Sequence, residues 1–248
     1  MERDSEVRTL TETDARNFDV VYKCLGPAAT LPDDVAKVYT MHYTAIAPHL
    51  PDLPAQIAGA LYMACKKHLV LGATSLFRRY ASQAFRETRC AVEAAGIAHA
   101  IRVDPQNYRV FREDKGSGES RKAARARFTS GRLFPPDIPE LAALKSCYDR
   151  ASELSHSNRR TFVPHLHLSE GMFSYQDIQQ KDIPRLITNY LIWLCFAHLA
   201  ILEAAEIVFK DVNCDLEQIQ NERQYVGKKL VRFDNQNEGR VVEDVAQV

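Results

Sequence analysis

A long apolar stretch in the C-terminal third constrains this chain most. It covers residues 186–209 and reads LITNYLIWLCFAHLAILEAAEIVF. Polar residues interrupt it at Asn189, His198, Glu203 and Glu206. Its uninterrupted apolar part is therefore shorter than the roughly 20 residues that a membrane-spanning helix needs. A helix that is apolar on all sides is also typical of a protein core. We predict a buried central helix here and no membrane segment.

Prolines and glycines divide the rest of the chain into helical segments, because proline cannot continue a helix interior but suits its first turn. The sequences PHLPDLP and PPDIPE each separate two stretches whose apolar residues recur at helical spacing. Gly72 is interpreted as the C-terminal stop of one helix. The predicted helices cover residues 34–48, 54–71, 74–102, a short segment capped by Asp104, 119–134, 138–155, 184–210 and 211–231.

This pattern predicts an all-α fold, a multi-helix bundle with long antiparallel helices around one core. Residues 161–175 differ, because apolar residues there surround a Glu-Gly turn; they form a short β-hairpin or an extended excursion. The predicted organisation is a polar N-terminal segment at 1–30, a single helical domain at 31–231 with a core of about 70–210, and a flexible tail at 232–248.

Composition excludes some functional classes. The 32 Lys and Arg residues balance 32 Asp and Glu residues, so a basic surface that attracts nucleic acid must be local. Six scattered cysteines without a C-x-x-C pair, and a charged start without a signal-peptide core, predict a cytoplasmic protein with free thiols. The chain has no glycine-rich phosphate loop, G-x-S-x-G or H-E-x-x-H motif. We expect no cofactor.

The first candidate site lies in the helix at 74–102. Arg89 and Glu93 are four residues apart and share a face, and alanines on another face permit close approach of a neighbouring helix. Two interpretations remain. The pair projects into a polar site between helices, or it is a surface ion pair in the weaker orientation, with arginine before glutamate.

The second candidate is the stretch YDRASELSHSNRRTF, which begins at Tyr148. Asp149, Ser152 and His156 fall on one helix face, whereas Arg150 and His156 are roughly 120° apart around the axis. The side chains of Arg150 and His156 converge if the helix ends near Ser155, or if the Arg150 side chain extends around the helix. A histidine in the last turn is favoured in its protonated form, as a general acid requires. Alternatively, His156 and Asn158 satisfy the last carbonyls of the helix.

Two further clusters contain side chains that bind phosphates or metals, namely a basic helix and a pair of histidines. The basic helix either contacts phosphates or is a solvated face paired with nearby acidic residues. Its phosphate-contact candidates are Arg121, Lys122, Arg125 and Arg127. His165 and His167 would lie on one side of a strand, but no cysteine or acidic partner stands at a recognisable spacing for zinc. We expect no metal site.

Together these stretches resemble a known group. Their order is the Arg89-x-x-x-Glu93 helix, the sequence DPQNYRVF, a basic helix, and then Tyr148, Ser152, His156 and Asn158. This is similar to uncharacterised bacterial helical proteins in which an R-x-x-x-E helix precedes a Tyr…Ala-His-Pro-Asn segment. That group looks like a branch of the HEPN superfamily (higher eukaryotes and prokaryotes nucleotide-binding domains). The resemblance covers about residues 70–165.

The resemblance implies a helical bundle, often a homodimer, and a metal-independent ribonuclease with an Arg-x(4–6)-His motif. Arg150 and His156 fit that spacing. His156 would exchange a proton with the RNA 2′-hydroxyl or the leaving oxygen, and Arg150 would stabilise charge on the phosphate. Ala151 stands where active members place a polar residue, and Ser157 where the bacterial group has proline.

Other members of the superfamily are non-catalytic. Two hypotheses follow: an RNA-cleaving enzyme, or a module that binds RNA or protein or that dimerises. In both, the residues expected to shape the site are Arg89, Glu93, Tyr148, Ser152 and Asn158.

Overall fold

Long helices build the molecule, as the sequence pattern predicts. A computed structural model describes residues 6–155, 166–169, 172–175 and 183–236. The fold is an all-α bundle, and the predicted class is confirmed. The helices are α1 Glu6–Leu25, α2 Leu31–Ile46, α3 Leu53–Phe77, α4 Ala81–Val103, α5 Pro105–Glu113, α6 Gly118–Arg127, α7 Ser130–Leu133, α8 Pro139–Ser155, α9 Thr188–Val208 and α10 Glu217–Gln236. Shorter turns lie at Gly26–Thr30, Ala47–His49 and Ile183–Ile187.

Helices α3 and α4 form the centre of the bundle. They pack along each other as a helical hairpin, and α4 also contacts α8 and α9. Helix α9 is the predicted buried helix: along its length it buries apolar residues such as Leu191, Leu194 and Ile201. Helices α5 and α7 pack on α4, and α6 packs on α5. This arrangement brings the end of α4, the basic helix and α8 to one side of the molecule.

Helix starts follow their capping residues. The side chain of Asp52 accepts a hydrogen bond from the Ala55 backbone N–H at 2.8 Å and begins α3. Asp104 accepts from the Gln106 N–H at 2.8 Å, with Pro105 in the first turn of α5. Both pairings satisfy a backbone donor that the helix itself leaves unpaired. The predicted cap at Asp104 is therefore confirmed.

The prediction that Gly72 ends a helix is wrong. Helix α3 continues to Phe77, and Gly72 is internal and buried. A Cβ atom there would lie 2.7 Å from Leu194 Cδ1 of α9, so the glycine permits close packing of two helices. The chain reverses instead at Arg79, whose φ of 69° is in the left-handed region. A glycine in a helical pattern marks either a helix end or a close contact, and sequence alone does not distinguish them.

Three other elements differ from the sequence pattern. The polar N-terminal segment forms α1, which packs on α3 and buries Val21. The predicted basic helix at 119–134 is split into α6 and α7, with a break after Arg127. The last helix begins at Glu217 and runs to Gln236, five residues beyond its predicted end.

A small β-hairpin is present within 161–175, where the sequence left a hairpin or an extended excursion open. Strand β1 Leu166–Ser169 pairs antiparallel with β2 Met172–Tyr175, and Leu166 lies opposite Tyr175. Within the described residues, the helix Arg185–Val208 is long and apolar enough to cross a membrane by those criteria alone. This is weak evidence, because 61% of its apolar window is buried in the bundle, and core helices pass the same test.

Candidate functional site

A pocket of about 470 Å³ opens where α4 and α8 meet the three short helices α5 to α7. Helix α4 contributes Glu93 and Ile97 to its lining, and α8 contributes Tyr148. The opposite wall comes from the segment 111–133. Its volume lies in the range of roughly 300–1,000 Å³ that small-molecule sites occupy.

Glu93, Tyr148 and Arg89 form a polar cluster at the α4–α8 contact. The Tyr148 hydroxyl donates a hydrogen bond to Glu93 Oε1 at 3.0 Å. Arg89 Nε lies 3.7 Å from the same oxygen, and the guanidinium carbon lies 5.9 Å from the centre of the Tyr148 ring. The arginine therefore faces both an anion and an aromatic face. The pair predicted on α4 lies between two helices rather than on an isolated surface.

The environment of this cluster keeps Tyr148 a hydrogen-bond donor. Burial raises the pKa of the Tyr148 hydroxyl, and the neighbouring Glu93 carboxylate raises it further. The Tyr148 ring also packs on Phe134, with ring centres 5.6 Å apart. Arg89 Nε and Ser152 Oγ are buried and make no hydrogen bond to another described residue. Neither residue lines the pocket.

Aromatic rings cover part of the wall opposite Glu93. Phe111 of α5 and Phe128, which follows α6, lie edge to face with ring centres 6.4 Å apart. Both line the pocket, together with the apolar side chains of Ala124 and Leu133. The lining therefore includes aromatic and aliphatic surface beside its charged groups.

Two arginines of α6 also line the pocket. Arg121 and Arg125 are one helical turn apart, so both face the same side. Arg121 NH1 lies 3.4 Å from Asp114 Oδ2. Arg125 has no ion pair with another of the described residues. The formal charges of the lining balance, because Glu93 and Asp114 oppose the two arginines.

The other two phosphate-contact candidates do not line the pocket. Lys122 is exposed on a different side of α6. Arg127 pairs with the carboxylate of Asp104 and donates a hydrogen bond to the Asn107 side chain, so it ties the end of α6 to the start of α5. Of the four candidates, the structure thus brings Arg121 and Arg125 to the pocket that Glu93 also lines.

Arg150 does not join this pocket. It lies about 200° around α8 from Tyr148. Its NH1 is 3.5 Å from Glu153 Oε2, and 39% of its side chain is exposed. Helix α8 is described as far as Ser155, and His156 and Asn158 lie outside the described residues. The convergence of Arg150 and His156 stays a prediction.

Of the two histidines with zinc-ligand chemistry, His165 and His167, the structure describes the second. His167 pairs with Ser174 in the hairpin, and His165 lies outside the described residues. Across the ranges that are described, no group of three or more His, Cys, Asp or Glu side chains could hold a metal ion.

Sequence reasoning missed Phe111, Phe128 and Asp114 as members of the site. A usable signal for the two phenylalanines exists, because Phe111 is followed by Arg112 and Phe128 is preceded by Arg127. That interleaving of aromatic and basic residues is typical of nucleic-acid contacts.

No protein-family model, no curated protein and no solved structure matches this chain.

Proposed function

We propose that this protein is an RNA-binding helical module that holds one nucleotide of a single strand in the pocket between α4, α6 and α8. The observation that carries the proposal is Arg125, a guanidinium without an ion-pair partner among the described residues, on the wall of a pocket of about 470 Å³ that two phenylalanines also line.

The chemistry of the wall fits a nucleotide better than a simple anion. A phosphate needs a positive donor, and the planar guanidinium of arginine matches its oxygens. The flat apolar surface of Phe111 and Phe128 suits a base, since stacking on an aromatic side chain is worth about 1–3 kcal/mol per base. A small inorganic anion would use the arginines and leave the rings without a role.

The charge balance of the lining limits the strength of binding. Asp114 already neutralises Arg121, so one or two phosphates at most are contacted here. For single strands the logarithm of affinity falls with the logarithm of salt by about 0.7 per phosphate contact. We therefore expect a shallow salt dependence, unlike that of a broad basic surface.

Fluorescence anisotropy with a labelled single-stranded RNA octamer tests the proposal. Arg125→Gln removes the unpaired charge and should weaken binding by about tenfold, the loss of one charged contact. Lys122→Gln is the matched control, because it removes one charge from the same helix outside the pocket. Absence of binding, or equal weakening by both substitutions, would refute the proposal.

A second candidate function is metal-independent RNA cleavage by Arg150 and His156, as the HEPN-like resemblance implies. The favouring observation is that Arg150 is partly exposed near the described end of α8, held by a long contact to Glu153 within the same helix. The same resemblance implies a homodimer. The hypothesis predicts cleavage of mixed RNA in the presence of EDTA and its loss in His156→Ala. Equal cleavage by both proteins would contradict it.

A further inference from the structure

We infer that the pocket selects guanine, with Glu93 accepting hydrogen bonds from the donor edge of the base. This inference rests on the proposed RNA binding and assigns a base preference to the same site.

Glu93 is the carboxylate of the lining that keeps one oxygen without a contact to a described residue. Asp114 uses both oxygens: Oδ1 accepts from the Gly116 backbone N–H at 2.8 Å and Oδ2 pairs with Arg121. Glu93 Oε1 accepts from Tyr148, whereas Oε2 receives no hydrogen bond from a described residue. The Glu93 side chain is 35% exposed, so a bound molecule can reach it.

An ionised carboxylate only accepts hydrogen bonds, and this determines which base fits. Guanine presents two adjacent donors on its Watson–Crick edge, the ring N1–H and the 2-amino group. Adenine and cytosine place a ring-nitrogen acceptor beside their amino group, which would face the carboxylate unfavourably. Uracil has a single N–H between two carbonyl acceptors. Guanine is therefore the base whose edge satisfies a carboxylate with two donors.

Tyr148 is a positioning residue for this contact. Its hydroxyl donates to Oε1 at 3.0 Å and so fixes the orientation of the carboxylate. Oε2 and the second acceptor site of Oε1 are left for the two donors of the base. Because burial and the Glu93 charge keep the pKa of the hydroxyl raised, Tyr148 remains a donor at neutral pH. Arg89 Nε lies 3.7 Å from the same Oε1 and so places a positive charge behind the carboxylate.

The remaining lining matches the rest of a guanosine monophosphate unit. Glu93 provides an acceptor and Arg125 provides a positive donor. Phe111 and Phe128 line the same pocket and provide its aromatic surface. A lining that offers the Glu93 carboxylate and the Arg125 guanidinium fits a ligand that carries both a donor edge and an anion. A uniformly anionic ligand would leave Glu93 as a repulsive charge.

The test compares U-rich RNA octamers that carry one central guanine, adenine or inosine, by anisotropy on the wild-type protein. We expect guanine to bind about tenfold more tightly than adenine. Inosine should fall between them, because it keeps N1–H and lacks the 2-amino group. Equal affinity for the guanine and adenine octamers would overturn the inference, and this comparison requires no variant.

Glu93→Gln provides the second arm. Glutamine can still accept from Tyr148 but replaces the free acceptor with a donor, so the guanine preference should fall to about twofold or less. Glu119→Gln, an exposed position on α6 outside the lining, removes the same charge and should keep the preference. A preference that survives in Glu93→Gln, in a variant that melts like the wild type, also overturns the inference.

The two proposals fail differently. If all three octamers bind equally and Arg125→Gln weakens all of them, RNA binding stands and base selection is wrong. If no octamer binds, both are wrong.

Discussion

Tyr148 of α8 donates a hydrogen bond to Glu93 of α4 at 3.0 Å, across the interface between two helices that line the pocket. The same bond joins the helices and orients the carboxylate that we assign to base selection. Stability and ligand binding therefore depend on one contact, and substitutions here must be measured for both.

Replacing Tyr148 with phenylalanine should lower the free energy of unfolding by about 1 kcal/mol, the usual net value of a hydrogen bond. The ring contact with Phe134 is kept, so little packing is lost. Urea unfolding measures the difference. Tyr108→Phe is the control, because the Tyr108 ring contacts Arg112 and its hydroxyl makes no hydrogen bond to a described residue. A loss of the same size in Tyr108→Phe would contradict the assignment.

Much of the fold could be predicted from the sequence, because local rules decide it. The cap at Asp104 depends on residues next to it in the chain, and the buried helix α9 depends on an apolar stretch too long to remain exposed. Gly72 shows where local rules fail. Its role depends on Leu194, which lies far away in sequence, and no pattern around Gly72 reveals that contact.

The candidate site was predictable to the extent that its residues share a helix. Arg121 and Arg125 are one turn apart, and so are Arg89 and Glu93. The contact of Glu93 with Tyr148 spans 55 residues of sequence and depends on how α4 and α8 pack. The wall formed by Phe111 and Phe128 likewise depends on the turn between α5 and α6.

Gly96→Ala should destabilise the protein by about 1–3 kcal/mol, because it overpacks the contact between α4 and the α7 region. A Cβ atom at Gly96 would lie 2.9 Å from Phe134 Cε1 and 3.0 Å from Leu133 Cβ. The matched control is Gly131→Ala in α7, where a Cβ meets nothing within 4 Å. That change should be neutral or stabilise by up to about 1 kcal/mol, since alanine is the better helix former. Thermal unfolding of both variants gives the comparison, and similar melting temperatures would contradict the packing argument.

The cysteines should react in a fixed order with a thiol reagent at mildly alkaline pH. Cys24 is exposed, whereas Cys65 and Cys195 are fully buried. Burial raises the pKa of both buried thiols, and the thiolate is the reactive form. We expect Cys24 to react at once, and Cys65 and Cys195 to react only when denaturant opens the bundle. Cys24→Ser should remove the fast phase, and a fast phase of unchanged amplitude in that variant would contradict the burial assignment.

Acid should destabilise the protein through buried histidines, of which His42 and His198 are two. His198 is fully buried with its Nδ1 3.0 Å from the Tyr39 hydroxyl, and burial together with the charge of His68 lowers its pKa to about 3. Burial lowers the pKa of His42 to about 4, with a further contribution from Arg223. An unfolded histidine has a pKa of about 6.5. Between about pH 6.5 and 4 the unfolded chain therefore binds more protons than the folded protein.

This difference in bound protons determines how the free energy of unfolding changes with pH. The free energy of unfolding is insensitive to these histidines above about pH 6.5, and it falls as the pH drops, by up to about 1.4 kcal/mol per pH unit for each histidine. Urea unfolding at a series of pH values measures the slope. His42→Gln should make the slope shallower by about that amount, whereas His49→Gln replaces an exposed histidine near the end of the same helical segment and should leave it unchanged. If His42→Gln keeps the wild-type slope, this histidine is protonated in the folded protein and the buried neutral form is wrong.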